Sequence, residues 1–357
     1  LSFDLWLLYA FALFYFLFTG FSNTEMGFSE ILRGLALPVA FFIGLNLYPN
    51  NDIKKIKKVI YILSIFMALH GILNLFYNFS RLGTGVLNNV SGLYDIWSGT
   101  ISSATGQSST FLLLAGIFYY SLFVQQNKKI KIVIFILFVL AFYYNFALGG
   151  RTFFILILLA CISGFLLHFY YSIKERVFVR KIFPVIFFIG LIILGVIYAY
   201  QNNIGGLRDT VESSYWYHRF FSTSGQDLSE DSRLDRKMQY ISLFFTYMFG
   251  GNHIRIDNGV GYAHDLWLDI YDAAGIIPFI IIFVYTLRAW IRAFSMLNDK
   301  KIESGFKVIF GSYTLVVSAY FFIEPIMYGA PLVLFSFCII DGLVASYLTQ
   351  KKQSVID

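Results

Sequence analysis

Charged residues are scarce in this chain, and their scarcity excludes most soluble folds. Only 13% of the 357 residues are charged, whereas 58% are apolar and 20% are aromatic, a balance far from that of soluble globular domains. The two cysteines, Cys161 and Cys338, lie inside apolar runs, so neither a disulfide framework nor a thiolate metal site is indicated. Convincing β alternation is also lacking. The composition therefore predicts an all-α polytopic membrane protein.

Long apolar runs take the place of the missing charge. A bilayer core needs about 20 apolar residues per helix, and ten windows of this kind predict ten transmembrane helices in a single domain, residues 1–357. The windows are 1–19, 31–48, 59–78, 104–124, 130–148, 152–171, 182–200, 264–292, 307–323 and 330–348. The chain begins at Leu1 and is already apolar there, so we expect a short N-terminal piece to be missing and no cleavable signal peptide.

The basic residues divide the connections into two kinds. Of the 27 Lys and Arg residues, 18 fall in 51–58, 125–131, 172–181, 288–307 and 349–353. By the positive-inside rule these connections face the cytoplasm, together with both termini. Eight of the nine basic residues on the opposite side are arginine, whose planar fork pairs with phosphate or carboxylate oxygens. This imbalance indicates an anion site there, with chance in a small sample as the alternative.

One connection on the outer side, residues 201–263, is much longer than the others. It holds six basic and seven acidic residues, so an anion site must be local rather than a property of the whole loop. Its aromatic segments 213–221 and 238–249 predict short amphipathic helices that lie on the outer membrane interface. A lid packed over the helix bundle is the alternative. Long loops in compact domains are usually functional.

Arginines at two places are candidates for the anion site. Arg151 follows two glycines that permit a tight turn, so it should begin the next helix, where its donors and the helix N-terminus both favour an anion. An interfacial arginine that reaches lipid phosphates is the competing interpretation. Arg233, Arg236 and Lys237 share one face of a predicted amphipathic helix, which is either an inward-facing site or an ordinary solvated face.

A histidine and several acids are the candidates for acid–base chemistry. His264 follows the glycine-rich turn "NGVG" and opens the predicted eighth span, where the helix N-terminus should keep its imidazole neutral. Asp265, Asp269 and Asp272 form one stripe, which should find arginines or line a wet cavity. Glu324, before Pro325, is either an ion-pair partner for Arg151 or Arg233 or a general base. Metal binding near His264 has no standard ligand spacing, so we predict no metal.

Three segments resemble a known family. "GGRTFF" at 149–154, "SRLDRKMQYISLFFTYMFGG" at 232–251 and "GVGYAHDLWLDIYDAAGIIP" at 259–278 are similar, in this order, to motifs of the bacterial O-antigen polymerase and O-antigen ligase (Wzy/WaaL-like) family. The third segment is the most specific, since His264, Trp267, Leu268 and Gly275 fall at the family spacing. Asp265 stands where the family commonly has Asn.

The resemblance implies a fold similar to C-type glycosyltransferases and a metal-independent, inverting transferase in the bacterial inner membrane. Its donor would be a glycan on undecaprenyl pyrophosphate. No cofactor is implied. Arg151 and Arg233 would hold the pyrophosphate, His264 would orient or deprotonate the attacking hydroxyl, and Asp265 would fix the tautomer of His264. The remaining substrate-binding candidates are Arg219, Arg236, Glu324, Tyr328, Gly261 and Trp267.

The resemblance leaves the acceptor open. A polymerase passes the growing chain to another lipid-linked repeat unit, whereas a ligase passes it to the lipid A core of lipopolysaccharide; an O-antigen or capsule polymerase is favoured. Membrane lipids, a flippase and a chain-length regulator of the same pathway are the expected partners, and nucleic acid is not. The rival outside the enzymes is a flippase or transporter, which should show inverted repeats; the sequence has no evident internal repeat.

Overall fold

A computed structural model describes most of the chain. The described residues are 2–22, 28–47, 53–83, 93–97, 99–102, 104–148, 151–174, 194–195, 197–212, 217 and 233–356. Arg219 and most of the predicted span 182–200 lie outside them, as does most of the aromatic segment 213–221.

The described part is almost entirely helical. Its helices are α1 (Phe3–Ser22), α2 (Phe28–Asn46), α3 (Ile53–Leu82), α4 (Ala104–Ser109), α5 (Leu112–Tyr119), α6 (Lys128–Ala147), α7 (Arg151–Lys174), α8 (Leu207–Glu212), α9 (Arg233–Ser242), α10 (His253–Asp257), α11 (Leu266–Ala274), α12 (Ile276–Leu297), α13 (Ser304–Phe321), α14 (Ile326–Gly329) and α15 (Pro331–Ile356). A π-helical turn, Tyr120–Val124, extends α5, and a 3-10 turn, Ile204–Gly206, precedes α8. Two three-residue strands, β1 (Leu93–Asp95) and β2 (Thr100–Ser102), pair antiparallel. Strands this short leave no alternation in the sequence.

Several helices have the length and apolarity of membrane spans. Five described helices qualify: Ile53–Leu82, Lys128–Ala147, Arg151–Lys174, Ile276–Leu297 and Pro331–Lys351. Three shorter apolar helices are Phe3–Thr19, Leu32–Asn46 and Leu112–Val124. Length and composition thus fit an all-α membrane protein, whereas the ten-span layout and its orientation stay predictions.

Glycine breaks the predicted span 264–292 into α11 and α12. Gly275 separates the two helices with φ +83° and ψ −171°, a conformation that side chains with a Cβ rarely adopt. A Cβ at Gly275 would also lie 2.5 Å from the carbonyl oxygen of Met248, and that oxygen accepts a hydrogen bond from Ile276 N at 2.9 Å. The prediction of one continuous helix is therefore wrong, because the preceding loop packs against the break.

The chain forms two compact units. The first comprises residues 1–63, 226–302 and 317–357, and the second comprises 64–225 and 303–316. In the first unit, α2 and α15 pack backbone to backbone, because a Cβ on Gly44 would overlap the carbonyl oxygen of Ile339 and one on Gly342 would overlap that of Phe41. Small residues allow such close approach between apolar helices, where van der Waals packing supplies the attraction.

Four buried or half-buried charges join three apolar helices of the first unit. Arg292 of α12 contacts Asp4 of α1 at 2.6 Å and Asp341 of α15 at 2.5 Å, and Arg288 contacts Asp4 at 2.6 Å. These two arginines were counted among the basic residues of a predicted cytoplasmic connection, 288–307. That assignment is wrong for both, because they lie within α12 and neutralise buried acids. Lys307 of the same stretch lies in α13 and is also buried.

A further ion pair fastens the turn after α12 to α15. Asp299 accepts hydrogen bonds from Tyr347 Oη at 2.7 Å and from Lys301 N at 3.0 Å, and Lys351 Nζ lies 2.7 Å from its carboxylate. Burial acts to raise the pKa of Asp299, but the Lys351 ion pair and these hydrogen bonds outweigh it and lower the pKa to about 2.

This ion pair makes a pH-dependent contribution to stability. Because the folded-state pKa of Asp299 lies below its ordinary value of 3.8, the contribution of about 2 kcal/mol is present above pH 4 and is lost as the pH falls towards 2. We expect Asp299→Asn to melt below the wild type at pH 5, and the difference in Tm to narrow steadily down to pH 2. Circular dichroism melts in detergent measure it; a difference in Tm that stays constant with pH would contradict the assignment.

A polar stripe along α3 binds the β-hairpin in the second unit. His70 Nε2 lies 3.0 Å from Asp95 Oδ1, and Asn74 Nδ2 donates to the same oxygen at 2.8 Å. One turn further along, Asn78 exchanges two hydrogen bonds of 2.8 Å with the backbone of Tyr94. His70 thus has a structural partner, as does His168, whose Nδ1 lies 3.1 Å from Tyr119 Oη.

Candidate functional site

The loop before α11 gives His264 an unusual backbone. Its φ is +55°, in the left-handed region that few residues with a Cβ adopt. Asp269, one turn into α11, holds this turn: its carboxylate accepts from Ala263 N at 2.9 Å and from Asp265 N at 3.1 Å, on either side of His264. Asp265 then caps α11 by accepting from Trp267 N and Leu268 N, the usual role of Asp at an N-cap. The loop thereby fixes where the imidazole points.

Three candidate residues from separate parts of the chain meet at one carboxylate. Arg233 Nη2 lies 3.3 Å from Glu324 Oε1, and His264 Nδ1 lies 3.5 Å from Glu324 Oε2. Arg233 Nη1 also donates to the Ile323 carbonyl at 2.7 Å. The Glu324 side chain is 1% exposed, whereas those of Arg233 and His264 are 39% and 20% exposed. The guanidinium of Arg233 and the imidazole of His264 can therefore reach a ligand, and the carboxylate of Glu324 lies behind them.

A second ion pair, beside the one between Arg233 and Glu324, also holds α9 in place. Lys237, one turn beyond Arg233, lies 3.3 Å from Asp265 Oδ2 and also donates to the Phe322 carbonyl. Burial raises the pKa of the Asp265 carboxyl, and the Lys237 ammonium opposes that shift. Of the two interpretations of the basic face of α9, the contacts of Arg233 and Lys237 favour the one in which these side chains point towards the protein.

Glu324, rather than Asp265, faces the imidazole. Because the buried Nδ1 of His264 points to Glu324, the Nε2 atom is the nitrogen left to face a ligand. The separation of 3.5 Å exceeds a hydrogen bond, but such contacts tighten when a substrate binds. Asp265 is occupied by Lys237 and by the α11 cap, so Glu324 is the carboxylate placed beside the imidazole.

The predicted acidic stripe does not line a wet cavity. Asp269 is 1% exposed and accepts from the backbone of the His264 turn. Asp272 is 4% exposed; it accepts from Ile254 N at 3.1 Å and from Tyr240 Oη at 3.4 Å. Both carboxylates serve the backbone of the loop that precedes α11, because N–H groups buried there need acceptors. The expectation that arginines would neutralise these acids is wrong for Asp269, whereas the charge of Arg255 does act on Asp272.

Other predicted residues surround this cluster or lie apart from it. Trp267 is 4% exposed and donates through Nε1 to Thr286 Oγ1 at 3.0 Å, which places it in the packing behind Asp265. The carbonyl of Gly261 accepts from Tyr240 Oη at 2.7 Å, and a Cβ there would lie 3.7 Å from Arg236 Nη1. Arg151 is the first residue of α7, as predicted, and belongs to the second unit.

Tyr328 belongs to a group of residues that sequence reasoning did not assemble. Its hydroxyl donates to Asn252 Oδ1 at 3.1 Å, and its ring centroid is 4.9 Å from that of Tyr262. The Arg255 guanidinium lies against both rings. The available signal was the excess of arginine on the predicted outer side, which includes Arg255. Among the described residues, no three His, Cys, Asp or Glu side chains lie together as a metal site would require.

The comparisons with known proteins define no family. No protein-family model matches the chain, and no curated protein matches it at a significant level. The class of the protein, an all-α membrane protein, therefore follows from its own features: its described residues are almost entirely helical, and several of their helices are able to span a membrane. They also form a compact cluster of one imidazole, two basic side chains and two acids.

Proposed function

We propose that the protein is a polysaccharide polymerase for O-antigen or capsule. It joins undecaprenyl-pyrophosphate-linked oligosaccharide repeat units by inverting glycosyl transfer at the outer face of the bacterial inner membrane. The observation that supports this proposal is the meeting of Arg233, His264 and Glu324, which puts a base, its orienting carboxylate and an anion-binding fork within one cluster.

In the proposed reaction, an acceptor sugar hydroxyl attacks the anomeric carbon of the donor on the face opposite the pyrophosphate. The new C–O bond forms as the bond to the pyrophosphate oxygen breaks, and undecaprenyl pyrophosphate leaves with the electron pair. His264 Nε2 takes the hydroxyl proton, and Glu324 stabilises the resulting imidazolium. His264 is the proposed base for activation of the hydroxyl, and the proposed reaction is metal-independent.

The reaction also requires stabilisation of the negative charge that develops on the leaving pyrophosphate. Arg233 is accessible beside His264 and would bind the pyrophosphate through its fork. Losing such a contact costs about 3 kcal/mol in the barrier. Arg151, Arg219 and Arg236 are further proposed contacts to the lipid-linked substrate, together with Tyr328. The ten-span layout, the long outer loop 201–263 and the cytoplasmic termini belong to the same proposal.

The test is a ladder assay with the purified full chain in lipid nanodiscs. Lipid-linked repeat units extracted from the membrane of the bacterium that produces the protein are added, and the products are separated by gel electrophoresis. A ladder of longer glycans without lipid A core is the expected result. Product formation that requires lipid A core would make the protein a ligase, and translocation without bond formation would make it a transporter; either result would replace the polymerase proposal.

A further inference from the structure

An arginine of the first unit lies against two tyrosine rings that also contact each other. The guanidinium carbon of Arg255 is 4.6 Å from the ring centroid of Tyr262 and 5.2 Å from that of Tyr328. Ring faces attract a guanidinium through its flat side, which leaves the N–H donors along its edge for other partners. We propose that Arg255, Tyr262 and Tyr328 form an oxyanion-binding subsite that takes a phosphate or carboxylate group of the substrate.

The donors of Arg255 have no other use within the described residues. No hydrogen bond or ion pair to a described residue engages its guanidinium, whereas Arg233 and Arg292 each contact a carboxylate. The two acids near it form no direct ion pair with its guanidinium, although the charge of Asp272 acts on it, and both acids have other hydrogen-bond partners. Asp257 pairs with His253 at 2.8 Å, and Asp272 accepts from Tyr240 and from the backbone of Ile254. A half-buried guanidinium with unused donors favours an anionic ligand.

The rings that hold Arg255 are themselves fixed. The Tyr328 hydroxyl donates to Oδ1 of Asn252, which is fully buried. The Nδ2 atom of Asn252 is also buried and has no acceptor within the described part of the chain, so a second polar donor is left unsatisfied beside Tyr328. Buried donors of this kind are rare in folded proteins and call for an explanation. A ligand or water that accepts hydrogen bonds at this place provides one.

The charge around α14 favours the same conclusion. Arg33 Nη1 donates to the carbonyls of Met327 at 3.0 Å and Tyr328 at 3.4 Å, so a second guanidinium lies on this short helix. Neither Arg33 nor Arg255 forms a direct ion pair with a carboxylate among the described residues, and the charge of Asp272 acts on Arg255 from a longer distance. Glu324, which precedes α14, already contacts Arg233 and His264. The local excess of positive charge attracts an anion.

Two parts of a lipid-linked glycan offer the required oxygens: the pyrophosphate of the carrier, and the carboxylate of an acidic sugar. This identification of the ligand rests on the proposed function, whereas the presence of an oxyanion subsite rests on the contacts of Arg255, Asn252 and Arg33. Both groups present paired oxygens to the edge of a guanidinium. A lysine would supply the charge without the fork and would stack less well on the rings.

Isothermal titration calorimetry on the full chain in nanodiscs tests the proposal, with inorganic pyrophosphate and glucuronate as the probes. We expect the wild type to bind one of them, and Arg255→Gln to weaken that affinity about tenfold or more. Arg255→Lys should also weaken it, as should Tyr328→Leu. Tyr328→Phe keeps the ring but loses the hydrogen bond to Asn252, so it should weaken the affinity less than Tyr328→Leu. Arg208→Gln is the matched control, because Arg208 is exposed and paired with Glu212.

The outcomes distinguish three interpretations of Arg255: a site for the carrier pyrophosphate, a site for an acidic sugar, and a purely structural residue. Affinity lost for pyrophosphate assigns the subsite to the carrier, and affinity lost for glucuronate assigns it to an acidic sugar. If the wild type binds neither probe, or if all Arg255 variants bind as the wild type and only lower the Tm, the proposal is overturned. Binding is measured without turnover, so a failed ladder assay leaves this result standing, and a successful one does not establish it.

Discussion

The Arg292→Ala variant should lose about 3–5 kcal/mol of folding stability, because removal of one partner from a buried ion pair leaves the other charge unsatisfied. Arg292 is 12% exposed and holds two acids at once, Asp4 and Asp341, whose side chains are 7% and 4% exposed. No other cation contacts Asp341 among the described residues. Thermal melts in detergent, followed by circular dichroism, measure the loss as a large drop in Tm.

A neighbouring arginine supplies the control for this prediction. Arg288 is 40% exposed and contacts one acid, Asp4, beside the Phe3 ring, so Arg288→Ala should lower the Tm much less. The double variant Arg292→Met with Asp341→Asn removes both members of a buried pair, and it should melt above Arg292→Ala. Equal losses for Arg292→Ala and Arg288→Ala would show that the network does not depend on the buried arginine.

The second large effect concerns the imidazole of His264. Loss of a general base usually costs about 10²–10⁴ in rate, so we expect His264→Asn and His264→Gly to form almost no glycan ladder. These replacements are preferable to alanine, because Gly and Asn tolerate the positive φ of this position. Their Tm should therefore stay close to that of the wild type, which separates lost chemistry from lost folding.

His253→Asn is the matched control for that experiment. His253 lies on α10 and is 48% exposed, with Asp257 as its partner, so its replacement should leave the ladder intact. Arg233→Gln should slow the ladder by about a hundredfold through the leaving group. A ladder of normal rate from the His264 variants would remove the imidazole from the proposed mechanism, even if Arg233→Gln remained slow.

Residue patterns were sufficient to select the members of the cluster. The turn "NGVG" before His264 indicated a loop rich in special backbone conformations, and Glu324 before Pro325 indicated a turn at a helix end. Membrane composition restricts where charges can lie, so each charged residue near a helix end was a strong candidate. The pairing of Glu324 with Arg233 was one of two partners that the sequence allowed.

The partners of the buried acids could not be predicted, because they are backbone N–H groups. The Asp269 carboxylate can accept hydrogen bonds from the backbone N–H groups of Ala263 and Asp265 only after the chain turns at His264. No residue spacing in the sequence predicts this turn. Arg288 and Arg292 were misassigned for a similar reason. Their neighbours Lys300 and Lys301 are typical of a loop, while the acids that neutralise the arginines come from Asp4 and Asp341, far away in sequence.

The hairpin on α3 has a consequence for the interior of the second unit. Its contact with His70 lies 12 residues before the end of α3 at Leu82, which is about 18 Å along a helix. Irregular backbone at the depth of a spanning helix persists in a bilayer only where protein or trapped water shields it from hydrocarbon. The side of α3 that carries His70, Asn74 and Asn78 therefore packs against protein rather than lipid, and polar side chains such as Gln107 fill the interior of the second unit at this depth.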